Sequence, residues 1–436
     1  MREECEKYVF IETFGCQMNE NDTERMLAFL KELRYRPTDT PELADLILIN
    51  TCSIRDKAEQ KVYSTAGRYK RLKKRKPELL IGISGCVAQQ KGGELLKRMP
   101  YVDLVIGTHN IHRLTELLKK VREEKTRVVS TELYNSIDSK EFPTPEVEGI
   151  KAYVSIMRGC DNYCTYCIVP YVRGREVSRP ARDVVEDIRR LVDRGVKEVT
   201  LLGQNVNSYC GDVSFPELLR MVCRVDGIER VRFVTSHPKD ISEELIYLFG
   251  EEDKLARSMH LPIQAGSDRV LERMRRRYTV SEYLNKVELL RRLYEDMSIS
   301  TDIIVGFPGE TEEDFEKTMK VVKEVEFDSI FSFKYSPRPG TEAATYKDQL
   351  PDDVKQRRLE VLQALQKEIT LKKNRLLVGK TMKVLVEGES KLDKTELTGR
   401  TTCNRVVNFP GDKGLTGSMV DVTITDAYAN SLRGEL

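Results

Sequence analysis

The stretch "KAYVSIMRGCDNYCTYC", residues 151–167, joins a β-prone run to a loop that holds three cysteines. Cys160, Cys164 and Cys167 have the spacing C-x3-C-x2-C, and no fourth cysteine lies nearby. Zinc sites and ordinary iron–sulfur clusters usually take a fourth protein ligand. Three thiolates on a 4Fe–4S cluster leave one iron open. The loop therefore predicts such a cluster, and a zinc loop completed from elsewhere in the chain is the alternative.

Five more β-prone runs follow, and each run except the last precedes a helical pattern. With the first run they are "KAYVSIM", "EVTLLG", "RVRFVTS", "SMHLPI", "ISTDIIVG" and "SIFSFKY". Polar, Gly- and Pro-rich segments follow them: "RGCDNYCTYC", "GQNVNSY", "TSHPKD", "QAGSD", "GFPGE" and "SPRPGT". Six units are too few for a closed eight-fold barrel, so the pattern predicts a partial (β/α)6 barrel of the TIM type, with its site at the carboxyl ends of the strands.

Residues 7–120 alternate strands and helices, which predicts an open, mostly parallel sheet. Cys16, Cys52 and Cys86 each follow one of its first three predicted strands. Because neighbouring strands lie about 5 Å apart, their thiols are expected to converge at one edge. Helix N-termini behind them are expected to lower the thiol pKa values. This predicts a second three-cysteine cluster; unrelated core cysteines are the alternative.

Asn19, Asn21 and Asp22, which follow Cys16 in "TFGCQMNEND", are expected to cap the next helix.

The amino-acid composition changes at two further places along the chain. Residues 134–149 are rich in Pro, Ser and acids and read as a linker or an exposed crossover. From about residue 378, β-prone runs alternate with Gly and Asp turns, which predicts a small all-β barrel. We therefore expect an α/β multidomain protein with three units. They are an N-terminal open parallel α/β domain at 7–123, the partial barrel at 146–372 and the small β-barrel at 375–436.

Composition excludes some classes. The 436 residues are 33% charged and 40% hydrophobic, and no run approaches the roughly 20 apolar residues of a membrane span. The N-terminal residues lack a signal-type apolar region, so a cytoplasmic location is expected. Ten cysteines in such a chain argue against disulfides and for metal ligation. Cys5, Cys210, Cys223 and Cys403 are expected to be ordinary thiols.

The net charge of +2 indicates no nucleic-acid partner, but two basic blocks, 67–76 and 273–279, are candidates for RNA contact. Solvated helix faces explain these blocks equally well. Arg173, Arg175 and Arg179 beside the cysteine loop are further candidates, and there an arginine could instead orient a ligand carboxylate or cap the barrel. His237 is expected to pack in a turn before Pro238, and Tyr163 and Tyr166 to shield the loop from water.

The C-x3-C-x2-C loop after the first strand of an incomplete barrel resembles the radical S-adenosylmethionine (SAM) superfamily. The resemblance implies that the open iron binds SAM and that reductive cleavage yields a 5′-deoxyadenosyl radical. It also implies that rim residues contact SAM: Gly203, Gln204, Ser236, Gln264, Gly306 and Glu310.

The whole chain, roughly residues 7–436, resembles the methylthiotransferases of that superfamily, in which the C-terminal barrel is an RNA-binding TRAM domain. The stretches that carry the resemblance are "GCQMNEND", "NTCSIRDKAEQKV", "RGCDNYCTYCIVPYVRGREVSR" and "GRTTCNRVVNFPG". They are similar to the bacterial tRNA branch. The ribosomal-protein branch typically has Pro-Lys after its first cysteine, where this chain has Gln17 and Met18.

The resemblance implies an enzyme with two 4Fe–4S clusters, one held by Cys16, Cys52 and Cys86 and the other by Cys160, Cys164 and Cys167. The implied reaction inserts a methylthio group at C2 of N6-dimethylallyl (isopentenyl) adenosine at position 37 of tRNA. One SAM methylates a sulfur on the N-terminal cluster, and a second SAM provides the radical.

The implied partners are the tRNA anticodon stem-loop and a low-potential electron donor such as flavodoxin or ferredoxin. We also expect a monomeric enzyme that has no membrane partner. The alternatives are a ribosomal-protein methylthiotransferase and a non-catalytic iron–sulfur redox sensor that binds RNA.

Overall fold

The fold has three successive parts in the computed structural model, which describes residues 6–53, 58–145, 149–391 and 393–436. Cys5, expected to be an ordinary thiol, lies outside these residues. So does part of the expected linker at 134–149, whose described portion contains a short 3-10 helix over Ser139–Glu141. The other nine cysteines are free thiols.

The first part is a six-stranded parallel sheet in the order β2-β1-β3-β4-β5-β6. Its strands are β1 (Lys7–Thr13), β2 (Tyr35–Pro37), β3 (Leu46–Thr51), β4 (Leu80–Gly85), β5 (Leu104–Ile106) and β6 (Val128–Ser130). Its helices are α1 (Gln17–Lys31), α2 (Ala58–Arg75), α3 (Cys86–Lys91), α4 (Gly93–Arg98) and α5 (Leu114–Glu124). Strand β3 is buried along its whole length, as its continuous apolar run predicts.

The predicted open parallel sheet is therefore confirmed. The sequence-based prediction missed β2 and β6, which have three residues each and no periodic pattern of their own. The strands that precede the three cysteines, β1, β3 and β4, are direct neighbours in the sheet.

The second part is the predicted partial barrel of six strands, in two parallel sheets of three strands. A parallel bridge between Val231 and Leu255 lies between the two sheets. The barrel strands are β7 (Lys151–Ser155), β10 (Glu198–Leu202), β11 (Arg230–Phe233), β12 (Ser258–His260), β13 (Ser298–Val305) and β14 (Ser329–Lys334). Strands β8 (Met157–Arg158) and β9 (Val177–Ser178) form a small antiparallel pair beside the cysteine loop.

Helices follow the barrel strands, and most of these helices cover the outside of the sheets, where one large apolar core lies. They are α6 (Val169–Arg173), α7 (Ala181–Val192), α8 (Phe215–Cys223), α9 (Glu243–Glu251), α10 (Asp268–Arg273), α11 (Val280–Leu293), α12 (Glu312–Val325) and α13 (Asp352–Arg375). Helix α13 packs on β14 and leads into the third part.

The third part is a closed five-stranded barrel in the order β15-β16-β17-β19-β18. Its strands are β15 (Thr381–Glu389), β16 (Glu396–Thr401), β17 (Val406–Pro410), β18 (Met419–Ala427) and β19 (Leu432–Glu435). The barrel contacts the second part through arginines of β11: Arg230 Nη1 donates to Arg400 O at 2.8 Å, and Arg232 Nη2 donates to Thr401 O at 2.9 Å.

Within the described parts of the chain, every helix is too short or too polar to cross a bilayer.

Candidate active site

The three N-terminal cysteines meet at the carboxyl edge of the first sheet. Cys16 precedes α1, Cys52 directly follows β3, and Cys86 begins α3 directly after β4. The Cys52 thiol hydrogen-bonds to the Cys16 sulfur, and the Cys16 thiol also lies 3.5 Å from Asn19 Oδ1. The structure therefore brings together side chains that the sequence separates by more than 30 residues.

Two glycines allow this close approach. Gly15 has φ of +135°, and a Cβ there would lie 2.8 Å from Cys52 Cβ. Gly85 has φ of +88°, and a Cβ there would lie 2.3 Å from Thr51 O. Each glycine directly precedes one of the cysteines, so a larger residue at either position would push two strand ends apart.

Asn19 ties the first two strand ends together. Its Nδ2 donates to Asn50 Oδ1 at 3.1 Å and to Thr51 O at 3.0 Å, and Asn50 Nδ2 donates back to Asn19 O at 2.8 Å. The expectation that Asn19, Asn21 and Asp22 cap the helix is wrong. Helix α1 begins at Gln17 with no side-chain cap, and all three residues are buried in contacts with other elements.

The thiols of this site differ in acidity. The hydrogen bond from Cys52 lowers the pKa of Cys16 to about 6, helped by Arg173 and the backbone N–H groups of Asn19 and Met18. Burial raises the pKa of Cys86. The expectation that helix N-termini lower all these pKa values therefore holds in direction for Cys16 and is wrong for Cys86, because a fully enclosed thiolate loses its hydration.

The three core cysteines lie in one loop that follows β7 and the short strand β8. Burial raises the pKa of Cys160 to about 11 and that of Cys167 to about 12. Asn162 Nδ2 lies 3.4 Å from the Cys160 sulfur and donates to it. Because a cluster binds thiolates, its assembly on thiols with raised pKa values must release protons.

Arg276 is the charged partner of this loop. Its Nη1 donates to the Cys164 sulfur at 3.4 Å, and its Nη2 donates to Pro262 O at 2.9 Å. Tyr166 and Tyr278 place their hydroxyl groups beside the same guanidinium, at 3.5 and 3.0 Å. Arg276 is 5% exposed, so its charge faces the cysteine loop in a weakly screened environment.

The predicted SAM contacts on the second and third barrel strands contain polar atoms without partners. Gln204 Oε1 accepts from Gly159 N at 2.5 Å, which joins β10 to the cysteine loop. Among the described residues, Gln204 Nε2, Ser236 Oγ and His237 Nε2 are buried without a hydrogen-bond partner. Buried polar groups are normally paired, so this rim fits a polar ligand such as SAM.

Three other residues that are predicted to contact SAM, Gly203, Gly306 and Glu310, lie against other groups of the protein. Gly203 lets Met157 pack against β10, since a Cβ there would lie 2.5 Å from Met157 Cγ. Gly306 lies against Lys355 in the same way. The Glu310 carboxylate accepts from Gly306 N at 3.0 Å and from Arg358 Nη1 at 2.6 Å. Contact of these residues with SAM stays a prediction.

Gln264 has an unusual backbone. It is buried with φ of +72° and bridges to Ile303 of β13. Holding a non-glycine residue at positive φ costs free energy, and such positions cluster at ligand sites. Its predicted SAM contact also stays a prediction.

The two cysteine sites are separated by one short helix. Ile168 and Val172 of the α6 region pack against Cys86, and Ile168 directly follows Cys167 in the chain. Arg173, at the end of α6, reaches into the first domain, where its Nη2 donates to Asp22 Oδ2 at 2.8 Å. Its guanidinium also hydrogen-bonds to Cys86. The core domain therefore supplies a cation to the N-terminal cysteines.

Several expectations about basic residues need correction. Arg173 and Arg179 are buried, and Arg179 pairs with Asp187 at 2.6 Å, so neither presents its charge to RNA. In the block 273–279, Arg276 is buried and two other arginines form ion pairs with Asp348 and Glu342, and RNA contact by the exposed arginines of this block stays a prediction. The sequence showed these positive charges as a surface pattern and gave no sign of their carboxylate and thiol partners.

Other expectations are confirmed. His237 packs in a turn, where its Nδ1 accepts from Lys239 N at 3.2 Å. Tyr166 lies between Arg276 and Phe307 beside the cysteine loop, while shielding of the loop from water by Tyr163 and Tyr166 stays a prediction. Cys223 and Cys403 are buried thiols, and Cys210 is exposed.

The donor chemistry fits iron–sulfur clusters. Each set consists of three thiols, the ligands that such clusters prefer, with an arginine beside it. In the part of the chain that the structure describes, no three His, Cys, Asp or Glu side chains converge on a single ion position. A cluster needs no such point, since each thiolate binds a different iron.

Family models match three parts of the chain. A model described as the uncharacterized protein family UPF0004 matches residues 8–107, the radical SAM superfamily matches 154–322, and the TRAM domain matches 375–436. The fold also resembles TsrM from Kitasatospora setae, a radical S-adenosylmethionine methyltransferase solved with cobalamin and a [4Fe-4S] cluster. The TM-score is 0.58 at 14% identity, with 78% of this chain and 77% of that chain covered.

Fold and site thus define a radical SAM enzyme with an added three-cysteine domain and a TRAM domain. Curated relatives narrow the class. The tRNA-2-methylthio-N(6)-dimethylallyladenosine synthase of Syntrophus aciditrophicus is 51% identical, with 99% of this chain and 94% of the relative covered. The synthase of the same name from Geobacter sulfurreducens is also 51% identical, with 99% and 97% covered. The chain belongs to the family of tRNA-2-methylthio-N(6)-dimethylallyladenosine synthases.

Membership confirms the predicted fold class, the enzyme class and the cofactors, SAM and 4Fe–4S clusters. The individual ligands and the domain boundaries stay predictions.

Proposed function

We propose that this enzyme inserts a methylthio group at C2 of N6-dimethylallyladenosine beside the tRNA anticodon, with two SAM molecules per turnover. The observation that carries the proposal is the pair of three-thiol sites on the two sides of α6. The curated relatives bear the name of this activity over nearly the whole chain. We assign Cys160, Cys164 and Cys167 to the cluster that binds SAM, and Cys16, Cys52 and Cys86 to the cluster that carries sulfur.

The C2–H bond of adenine resists acids and bases, so proton transfer alone cannot functionalise it. The cluster held by Cys160, Cys164 and Cys167 would supply, together with SAM, the radical chemistry that can break this bond, and the cluster held by Cys16, Cys52 and Cys86 would supply the sulfur. The chain's own residues order this chemistry. Arg276 fixes the Cys164 sulfur and places a positive charge beside it. Gln204 holds the cysteine loop through Gly159 N and offers its Nε2 to a ligand.

On the other side of α6, Arg173 holds Cys86 and balances negative charge at the N-terminal thiolates. The apolar side chains of Ile168 and Val172 exclude water from the space next to Cys86. The two cysteine sets thereby lie on the two sides of α6.

We also propose that the TRAM barrel and exposed cations of α2 contact the tRNA backbone. Arg71, Lys74 and Arg75 are exposed, whereas Lys73 forms an ion pair with Asp103. A low-potential flavodoxin or ferredoxin as electron donor, a monomeric state and a cytoplasmic location remain parts of the proposal.

The test is a reaction of the anaerobically reconstituted enzyme with SAM, a reductant and tRNA that carries dimethylallyladenosine but no methylthio group. Mass spectrometry of the nucleosides should show the methylthio product. No gain on this tRNA, together with a gain on ribosomal protein in a parallel reaction, would replace the proposal with the ribosomal-protein alternative. No gain on either substrate would favour the redox-sensor alternative.

A further inference from the structure

The inner face of the last barrel strands carries two exposed phenylalanines. Phe331 and Phe333 on β14 lie opposite Asp302 and Ile304 of β13 in the strand register. The intervening Ser332 accepts a hydrogen bond from Gln363 of α13, on the outside of the barrel. Because side chains alternate along a strand, the two phenylalanines point away from α13 and into the barrel.

These rings are open to solvent although the barrel wall around them is well packed. Phe331 is 56% exposed and Phe333 is 52% exposed, whereas Ile303 and Val305 on the other face of β13 are at most 1% exposed. Strand β14 is the last strand of its sheet, so the barrel is open beside it. Single exposed apolar residues are ordinary, but an adjacent aromatic pair inside an open barrel indicates a binding surface.

Polar groups border this aromatic pair. His260 of β12 lies between two side chains of β13: its Nδ1 is 3.0 Å from Ser300 Oγ and its Nε2 is 3.3 Å from Asp302 Oδ1. The His260 ring meets Phe331 edge to face, with 5.7 Å between the ring centroids. The surface therefore combines two apolar rings with a carboxylate and an imidazole.

The chain that leaves β14 connects this surface to both cysteine sites. Ala343 N donates to Thr165 O at 2.8 Å, within the core cysteine loop. Gln90 Nε2 of α3, the helix that begins at Cys86, donates to Pro339 O at 3.0 Å. A ligand bound to the aromatic pair therefore lies on β14, the strand whose following segment contacts both cysteine sites.

We propose that Phe331 and Phe333 bind the dimethylallyl group of the substrate adenosine, and that Asp302 accepts the N–H that remains on its N6. The inference rests on the proposed function and deepens it by naming the residues that recognise the apolar substituent. A modified base must leave its stack to reach such a site, and aromatic side chains are the usual platform for an unstacked base. The five-carbon group supplies apolar area that an unmodified adenosine lacks.

The experiment measures binding of two synthetic anticodon stem-loops to the anaerobic holoenzyme. They have the same sequence, and only one carries dimethylallyladenosine. Wild-type enzyme should bind the prenylated RNA at least about tenfold tighter, since burial of about two CH₂-sized groups already gives a change of that size. The double variant Phe331→Ala/Phe333→Ala should bind both RNAs equally. Phe331→Leu/Phe333→Leu should restore part of the preference, because leucine keeps an apolar surface.

Tyr247→Ala is the matched control, since Tyr247 is an exposed aromatic residue on α9 on the outside of the barrel. It should keep the wild-type preference. Asp302→Ala should weaken binding of both RNAs to a similar extent, because both bases carry an N6–H.

Failure of the inference is distinguishable from failure of the proposed function. Wild-type enzyme that adds no methylthio group to prenylated tRNA contradicts the function. Wild-type enzyme that adds it, while the double alanine variant keeps the full preference for prenylated RNA, overturns only the role of the phenylalanines. Equal binding of both RNAs by active wild-type enzyme overturns it as well. Unchanged RNA binding by Asp302→Ala overturns the role of Asp302.

Discussion

The two cysteine sites achieve the same donor set by opposite routes. The core site takes its thiols from one loop, residues 160–167, that directly follows one strand. The N-terminal site takes its thiols from positions 16, 52 and 86, which meet only when three strands have paired. Its neighbouring arginine, Arg173, comes from the other domain. We infer that the core site depends mainly on local geometry, and that the N-terminal site depends on folding of its sheet and on the domain interface.

The largest expected effect separates the sites by their chemistry. Cys164→Ala should abolish detectable formation of 5′-deoxyadenosine from SAM, because the radical-forming cluster loses one of only three ligands. Chromatography of the nucleoside products measures this loss. Iron content should fall from about eight to about four per chain, since the N-terminal cluster remains. Cys223→Ala, a buried thiol away from both sites, should change neither quantity. An unchanged iron content in Cys164→Ala would contradict the assignment of Cys164 to a cluster that is separate from the N-terminal cluster.

Arg173→Ala should damage the N-terminal site through the interface. It leaves the buried Asp22 without this guanidinium, and removal of one partner of a buried ion pair typically costs about 3–5 kcal/mol. Asp22 keeps its pairing with Arg25, at 3.1 Å, so the lower end of that range is expected. Denaturant unfolding measures the loss, and iron analysis should show loss of the N-terminal cluster first.

Arg175→Ala is the control for that variant, because Arg175 forms only an exposed pair with Asp161. It should change the unfolding free energy by less than about 0.5 kcal/mol. Equal effects of the two substitutions would refute the role of Arg173 at the interface.

The interface should also weaken with acid. His109 is buried, its Nε2 lies 2.8 Å from Arg173 O, and its Nδ1 accepts from Tyr134 N at 3.0 Å. Burial, with the nearby Arg158, lowers its pKa to about 4. The unfolded chain takes up this proton near pH 6.5 and the folded chain does not. Stability is therefore present above pH 6.5 and is lost as the pH falls toward 4, by about 2 kcal/mol between pH 7 and pH 5.

Comparison of wild-type protein with His109→Gln isolates this contribution from other titrating groups. Unfolding free energies measured at pH 7, 6 and 5 should fall less steeply in the glutamine variant. Parallel pH dependences in the two proteins would show that His109 does not couple the interface to pH.

Much of the difference between the two cysteine sites could be predicted from the sequence. The three-cysteine loop is a local motif, and the N-terminal cysteines each end a clearly apolar strand, so parallel-sheet geometry alone predicts that they converge. The roles of Arg173 and Arg276 could not be predicted. Both arginines sit in basic stretches that look like surface, and only tertiary packing brings Asp22 or Cys164 beside them. Strands β2 and β6 are too short to show a pattern, and the raised pKa of Cys86 depends on its enclosure by α6.

The smallest expected effect concerns the potential of the core cluster. Arg276→Gln should lower its midpoint potential by on the order of 60 mV, a tenfold change in a one-electron equilibrium, because removal of a nearby positive charge disfavours reduction. Redox titration followed by electron paramagnetic resonance measures the shift. Arg275→Ala, in the same block but paired with Glu342 at the surface, should shift the potential much less. A shift of the same size in both variants would point to a general loss of charge.

The division of labour between the two sites is the central claim, and Cys16→Ala tests it most directly. The variant is incubated anaerobically with SAM, reductant and prenylated tRNA, and 5′-deoxyadenosine and methylthio-nucleoside are quantified in the same reaction. The account predicts that SAM cleavage persists while the methylthio product is absent. Loss of SAM cleavage, or formation of the methylthio product at the wild-type level, would contradict it.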